Sequence, residues 1–310
     1  MPRLTLGINN CFALKRWPQP REWADIICGE LGLTTCQLSL DLLPPAFTSE
    51  PSRTYAEASR EAAADMGLSI HSVFTGLGAY ASNLLLSSDE SERNAAEAWY
   101  REVIELTALV GARGAGGHIG ALSVSANHDV EQRGLLLEDQ KHRLDRLARY
   151  AATHELAFLL FENLAVSREY GHSIEEARAL EEALSETPVP WTLCLDLGHP
   201  AALQTGTSSD DPLAWLETTW RHTPVLQLQQ AHRGADLHGP FTEATNKVGL
   251  VHRDEVLERL STWKVPEVYL FLEIIPAHEA DDATVLRELI ESVDYWKTGI
   301  EACGVSKPGV

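Results

Sequence analysis

Eight times along its 310 residues the chain passes from a short β-like run into a longer stretch whose apolar residues recur at helical spacing. The runs begin near Leu4, Thr34, Leu68, Ala112, Leu156, Trp191, Val225 and Glu267, at intervals of roughly 30 to 45 residues, the length of a parallel βα unit. An unbroken βα alternation requires a parallel sheet covered by helices, and eight units suffice to close that sheet on itself. The expected fold is therefore α/β, a single (β/α)8 TIM barrel over residues 1–310, with 305–310 as a frayed tail.

The helices are the better-defined half of this pattern. From Glu92 to Val110, Ala95, Ala96, Tyr100, Val103, Ile104, Leu106 and Leu109 fall on one face, Asp89 and Ser91 are caps, and Gly111 is the stop. Leu135 to His154 and Ala283 to Cys303 repeat the periodicity, and Pro212 and His252 to Asp254 open two more helices. The fourth run, GARGAGGHIGAL, is so rich in glycine that it reads nearly as well as a loop.

Hydrophobic residues make up 44% of the chain and charged ones 23%, which supports one large core. A net charge of −20 repels polyanions and argues against nucleic acid as a partner. No apolar stretch approaches the roughly 18 residues of a membrane span, and MPRLTLGINNC lacks the features of a signal peptide, so a cytoplasmic protein is expected. Five scattered cysteines without a CxxC pair fit reduced thiols.

Four runs in the second half end in an oxygen-bearing side chain: LAFLLFE at Glu162, WTLCLD at Asp196, VLQLQQ at Gln229 and VYLFLE at Glu273, spaced 34, 33 and 44 residues apart. A carboxylate at the tip of a buried strand is costly to leave unpaired. Side chains alternate along a strand, so Phe158, Leu160 and Glu162 share a face, as do Cys194 and Asp196, Gln227 and Gln229, and Tyr269, Phe271 and Glu273. All four tips then point into the barrel at the strand ends where TIM-barrel active sites sit. One such acid alone is more often a cap or half of an ion pair; four together read as one metal site. Two Glu, one Asp and one amide favour Mn²⁺ or Mg²⁺, with Co²⁺, Ni²⁺ and Zn²⁺ as alternatives.

These residues resemble the xylose-isomerase-like sugar epimerases and isomerases, typified by D-tagatose 3-epimerase. FEN at Phe161 to Asn163, LDLGH at Leu195 to His199 and FLEIIP at Phe271 to Pro276 carry the resemblance, which covers nearly the whole chain. It implies Glu162, Asp196 and Glu273 as metal ligands and His199 as a substrate contact. The family's HxH on the seventh strand is replaced here by Gln227-Leu228-Gln229, so the fourth ligand is Gln229 or another group, with His232 and His238 on the following loop as candidates. GINNCFALKRW, QLSLDLLPP, GGHIGALS and LQQ followed by HGPFTEATNKVG are similar to the tetrulose-phosphate epimerases of bacterial erythritol catabolism, which implies interconversion of L- and D-erythrulose phosphate.

Epimerisation beside a ketone removes a proton from a weakly acidic carbon through an enediolate, for which a divalent cation on the carbonyl is the electrophile. Inversion needs a base on each face, and Glu162 and Glu273 are the candidates. Lys15 and Arg16 after the first run, and Arg233, His238, Asn246 and Lys247 after the seventh, are candidate phosphate contacts, or equally solvated loop cations. His71 and His118, placed at the ends of the third and fourth runs, are candidate hydroxyl contacts, though a lone histidine is more often structural. The expected partner is a small sugar or sugar phosphate, and a homo-oligomer is compatible with the chain. An epimerase or isomerase of a free ketose, another enzyme on this scaffold such as a dehydratase or abasic-site endonuclease, and a non-catalytic sugar-binding barrel are the competing readings.

Overall fold

A computed structural model describes residues 2–43, 49–218 and 224–304. The expected tail at 305–310 lies outside the described residues.

Eight parallel strands close into a barrel: β1 (Arg3–Asn9), β2 (Thr35–Ser39), β3 (Ser69–Phe74), β4 (Gly114–Gly117), β5 (Phe158–Glu162), β6 (Trp191–Asp196), β7 (Val225–Leu228) and β10 (Glu267–Leu272), with β1 bonded to both β2 and β10. Two further strands, β8 (Gln230–His232) and β9 (Ala235–Gly239), pair antiparallel as a hairpin outside the barrel. The helices between strands are α1 (Pro20–Asp25), α2 (Glu50–Met66), α3 (Glu90–Val110), α4 (Val124–His128), α5 (Val130–Thr153), α6 (Ile174–Ala183), α7 (His199–Ala202), α8 (Pro212–Thr218), α9 (Glu243–Asn246), α10 (Arg253–Ser261) and α11 (Asp282–Ala302).

The local chemistry explains most boundaries. Asp89 caps α3 by accepting from the Ser91 and Glu92 amides, and Gly111, at φ 81°, ends it. α5 begins at Val130, ahead of the Leu135 expected from periodicity, because Asp129 accepts from the Gln132 amide and extends the helix by a turn. The glycine-rich fourth run is a strand, and its glycines are required by the neighbour: a Cβ on Gly116, at φ 151°, would lie 1.9 Å from the Leu160 carbonyl oxygen of β5.

The main core lies between the barrel wall and the helices, with Trp23, Trp215 and Trp296 fully buried in it. A second, smaller core fills the barrel itself. Phe74, Leu160, Cys194, Val225 and Phe271 pack across the axis, with Phe158 and Tyr269 partly buried below them. No described helix is long and apolar enough to cross a membrane.

Candidate active site

The inward alternation that places Leu160, Cys194 and Phe271 inside the barrel brings the next inward residue of each strand to its mouth. There Glu162, Asp196, Gln229 and Glu273 are all buried. The FEN and LDLGH motifs act as a local frame for them. Asn163 accepts from the Asp196 amide at 2.8 Å and donates to its carbonyl at 3.0 Å, tying the ends of β5 and β6 together. Asp196 Oδ1 accepts from the Gly198 and His199 amides at 2.6 and 3.1 Å, and a Cβ at 198 would press within 2.4 Å of the Gln229 side chain. His199 Nδ1 lies 2.7 Å from the Asn163 carbonyl, to which it donates, leaving Nε2 facing Asp236 Oδ2 at 3.4 Å.

The loop expected after the seventh strand is instead the β8–β9 hairpin, and it delivers Asp236 and His238 to the carboxylates. Its two side chains, one residue apart on a strand, face the same way. Gln229 is turned with its oxygen to the His238 amide at 2.5 Å and its nitrogen to Asp236 Oδ1 at 2.9 Å and both Asp196 oxygens at 3.2 and 3.3 Å. The amide oxygen of this candidate ligand thus accepts from a backbone donor. His238, held at φ 44°, brings its Nδ1 to 3.5 Å from Glu273 Oε2.

Those two atoms are buried and neither has a hydrogen-bond partner. A separation of 3.5 Å is long for a hydrogen bond but close to the ~3.3 Å between neighbouring ligands at tetrahedral metal distances of about 2.0–2.1 Å. Ligand atoms of Asp196, His238 and Glu273 lie within 4.8 Å of one another, as do those of Glu162, Asp196 and His199 and those of His199, Asp236 and His238. The donor set fits a divalent cation, with carboxylate oxygens and imidazole nitrogen.

The electrostatics agree. Burial pushes the Glu162 carboxyl well above its ordinary range, with Glu273 and Asp196 adding to it against His199. Burial and then Asp196 do the same to Glu273. Burial opposes charge on His199, yet Asp196 and Asp236 push its pKa well up. Asp236 is held far below the carboxylate range, because the two imidazoles beside it outweigh its burial. The cluster sets four carboxyl groups, Glu162, Asp196, Asp236 and Glu273, against two imidazoles, His199 and His238.

A pocket opens above these groups, with Asp41, Phe74, Leu77, Tyr80, His118 and Ile275 among its walls. Residues 27–296 match the family model of the xylose isomerase-like TIM barrel. The chain belongs to that family.

Within the xylose isomerase-like family, the chain is 22% identical over 301 residues to D-erythrulose 1-phosphate 3-epimerase of Brucella abortus (strain 2308), covering 96% of this chain and 97% of that one. A candidate xylose isomerase from Rhodospirillum rubrum ATCC 11170 superposes with a TM-score of 0.89 at 26% identity, over 95% of this chain and 99% of the other. D-psicose 3-epimerase from Clostridium cellulolyticum H10, solved with D-tagatose, superposes at 0.70 with 14% identity, over 96% and 99% of the two chains. Sugar epimerases recur among the relatives and structural neighbours of this xylose isomerase-like chain.

The structure gathers Glu162, Asp196, His199, Gln229, His238 and Glu273, and brings His118 to the pocket wall beneath Tyr80, with ring centroids 4.2 Å apart. It does not gather the others. Arg16 pairs with Asp282 and donates to the carbonyls of Ala277 and His278 at 2.7 and 3.1 Å, so its guanidinium is spent tying two loops together. Lys15 is exposed, Arg233 is exposed in the hairpin turn, and Lys247 pairs with Glu243 on α9. Asn246 accepts from Gln230, and His232 lies on β8 outside the ligand groups. His71 is the third residue of β3, below the mouth, its ring tilted against that of Tyr269 with centroids 4.1 Å apart. The site residues that sequence reasoning missed are Asp236, Asp41 and Tyr80. Only Asp236 had a signal: the spacing Asp-x-His puts two ligand types on one strand face.

Proposed function

We propose that the protein is a metal-dependent epimerase of a small ketose, with Glu162 and Glu273 as the acid/base pair and Glu162, Asp196, Glu273 and His238 as ligands. The observation that carries this reading is the pair of atoms without a hydrogen-bond partner among the described residues, Glu273 Oε2 and His238 Nδ1, facing each other at 3.5 Å. The cation, when bound, supplies the electrophile that makes a carbon beside a ketone acidic. The protein does the rest. Glu162 and Glu273 stand on β5 and β10, with β6 and β7 between them, so each reaches the ligand from its own side. Burial makes both carboxylates more basic than in water, which suits groups that must take and return a proton near neutral pH. His199, anchored by Asn163, is placed to donate to a substrate oxygen.

A phosphorylated tetrulose is the first substrate to test, because the erythrulose-phosphate relative aligns over nearly the whole length of both chains. Mn²⁺ or Mg²⁺ is the first metal to test, and a cytoplasmic location accords with a phosphorylated substrate. Turnover of erythrulose phosphate in D₂O should place solvent deuterium at the inverted carbon, and metal removal should stop it. Retention of the original hydrogen at full turnover rules the two-base reading out. One observation favours a free ketose: no Lys or Arg is among the described residues lining the pocket. Good turnover of free ketoses with none of the phosphate ester would select that reading. One bound metal without turnover of any ketose would leave a binding barrel.

A further inference from the structure

We infer that Asn9 and Gln227 are positioning residues that fix Glu273 for proton transfer and metal ligation, an inference that rests on the proposed function. Glu273 Oε1 accepts two amide hydrogens, from Asn9 Nδ2 at 3.0 Å and Gln227 Nε2 at 3.1 Å, and all three side chains are buried. The donors come from β1 and β7, the two strands that flank β10 in the barrel, so the carboxylate is held from both sides. With Oε1 held twice the group cannot turn about its terminal bond without breaking two buried hydrogen bonds. Oε2 is left without a protein partner and is directed at His238.

Neither amide is free to flip. Asn9 Oδ1 accepts from the Cys11 amide at 3.0 Å, which orients its nitrogen toward Glu273. Gln227 Nε2 also donates to Gln37 Oε1 at 3.2 Å, so its two hydrogens are divided between Gln37 and Glu273. Gln37 in turn donates to Ser72 Oγ at 3.3 Å, and Ser72 lies 3.1 Å from His71 Nδ1. The chain Glu273–Gln227–Gln37–Ser72–His71 runs through the barrel interior with every member buried, and sets the orientation of the carboxylate from below. Glu162 has no such support: among the described residues its carboxylate faces His199 Nδ1 at 3.5 Å and receives no amide donor. The two acid/base groups are therefore unequal, Glu273 stationary and Glu162 free to adjust.

The test is calorimetric titration of Mn²⁺ alone into metal-free protein, with the Mn²⁺ spin-resonance spectrum of each complex. Wild type should bind one equivalent. Gln227→Met, which keeps the volume and removes the donors, should keep that stoichiometry, bind about 10- to 100-fold more weakly and give an altered spectrum. Unchanged affinity and spectrum in a folded Gln227→Met protein overturn the inference. Should that variant fail to fold, Asn9→Ala is read in the same way. A wild type that takes up no Mn²⁺ fails differently, because it removes the proposed function and not merely the support of one carboxylate.

Discussion

The two ends of the barrel use the same residue types to opposite ends. At the lower end His71 lies among Phe158, Tyr269 and Phe271, and burial, with Arg113, pushes its pKa down to about 4. At the mouth His199 is equally buried, yet Asp196 and Asp236 push its pKa well up. Burial alone disfavours an imidazolium in both places; what differs is the balance of neighbouring charge, since Arg113 acts with burial on His71 and outweighs Glu267, whereas several carboxylates oppose burial at His199. The lower layer is packed among aromatic rings, which makes it a stability element. The upper layer gathers carboxyl groups and imidazoles with shifted titration, which makes it a site.

The largest break of this contrast is Asp196→Asn. Elemental analysis after mild purification should fall from about one metal equivalent to none, because a neutral amide replaces the carboxylate between β5 and β7. The metal-free variant should also melt higher than metal-free wild type, since one of the repelling carboxylates is gone. Metal retained in full by Asp196→Asn would move the site elsewhere.

Next in size is the choice between the two candidates for the fourth ligand. His238→Ala should weaken Mn²⁺ binding by about 100-fold, and Gln229→Leu by about tenfold, because the glutamine orients Asp196 and Asp236 from behind. The reverse order, measured by titration at fixed pH, would restore Gln229 as the ligand. In both proteins affinity should rise with pH, since Glu162 and Glu273 have raised pKa values and must lose their protons to bind.

This substitution also marks how far the chain could be read before its structure was known. The eight strands and the three acidic tips were legible because each depends on a local pattern: alternation along a strand, a cap before a helix, a carboxylate after an apolar run. The approach of His238 to Glu273 was not. It depends on a hairpin whose strands, Gln230–His232 and Ala235–Gly239, are too short for a periodic signal, and whose effect is to carry His238 across the mouth to Glu273. His71 was placed at a strand end because its run was read one turn of the pattern too early; Val73 and Phe74 continue the strand. Arg16 looked available because nothing local reveals Asp282, which lies 266 residues away in the chain.

A smaller effect is expected at the lower end. His71 is neutral in the folded protein down to about pH 4, whereas in the unfolded chain it takes a proton near the ordinary histidine value of 6.5. The unfolded state therefore binds more protons between these values, so its contribution to stability is complete above 6.5 and is lost as the pH falls through 4. The full loss is roughly 3 kcal/mol at about 1.4 kcal/mol per pKa unit. Chemical denaturation from pH 7 to 4 should show that His71→Phe is flatter than wild type by an amount of this order. Parallel curves would mean that His71 is protonated inside the barrel.

The smallest effect separates an available cation from one already engaged. Arg16 follows β1 at the catalytic rim, where a phosphate contact was expected, but its side chain is only 8% exposed and its donors go to Asp282 and two carbonyls. Asp282 is itself 70% exposed, so the ion pair is screened by solvent and contributes little, while the two carbonyl hydrogen bonds contribute about 1 kcal/mol each. Arg16→Met keeps the apolar stem and removes the donors. Its melting temperature should drop by a few degrees on the scale of about 2–4 °C per kcal/mol for a large domain. Its KM for a ketose phosphate should stay within twofold of wild type, because the guanidinium never reaches the pocket. A tenfold rise in KM for the phosphate ester, with none for the free ketose, would show instead that the loop releases Arg16 to the substrate, and would return a cation to a pocket whose described lining has none.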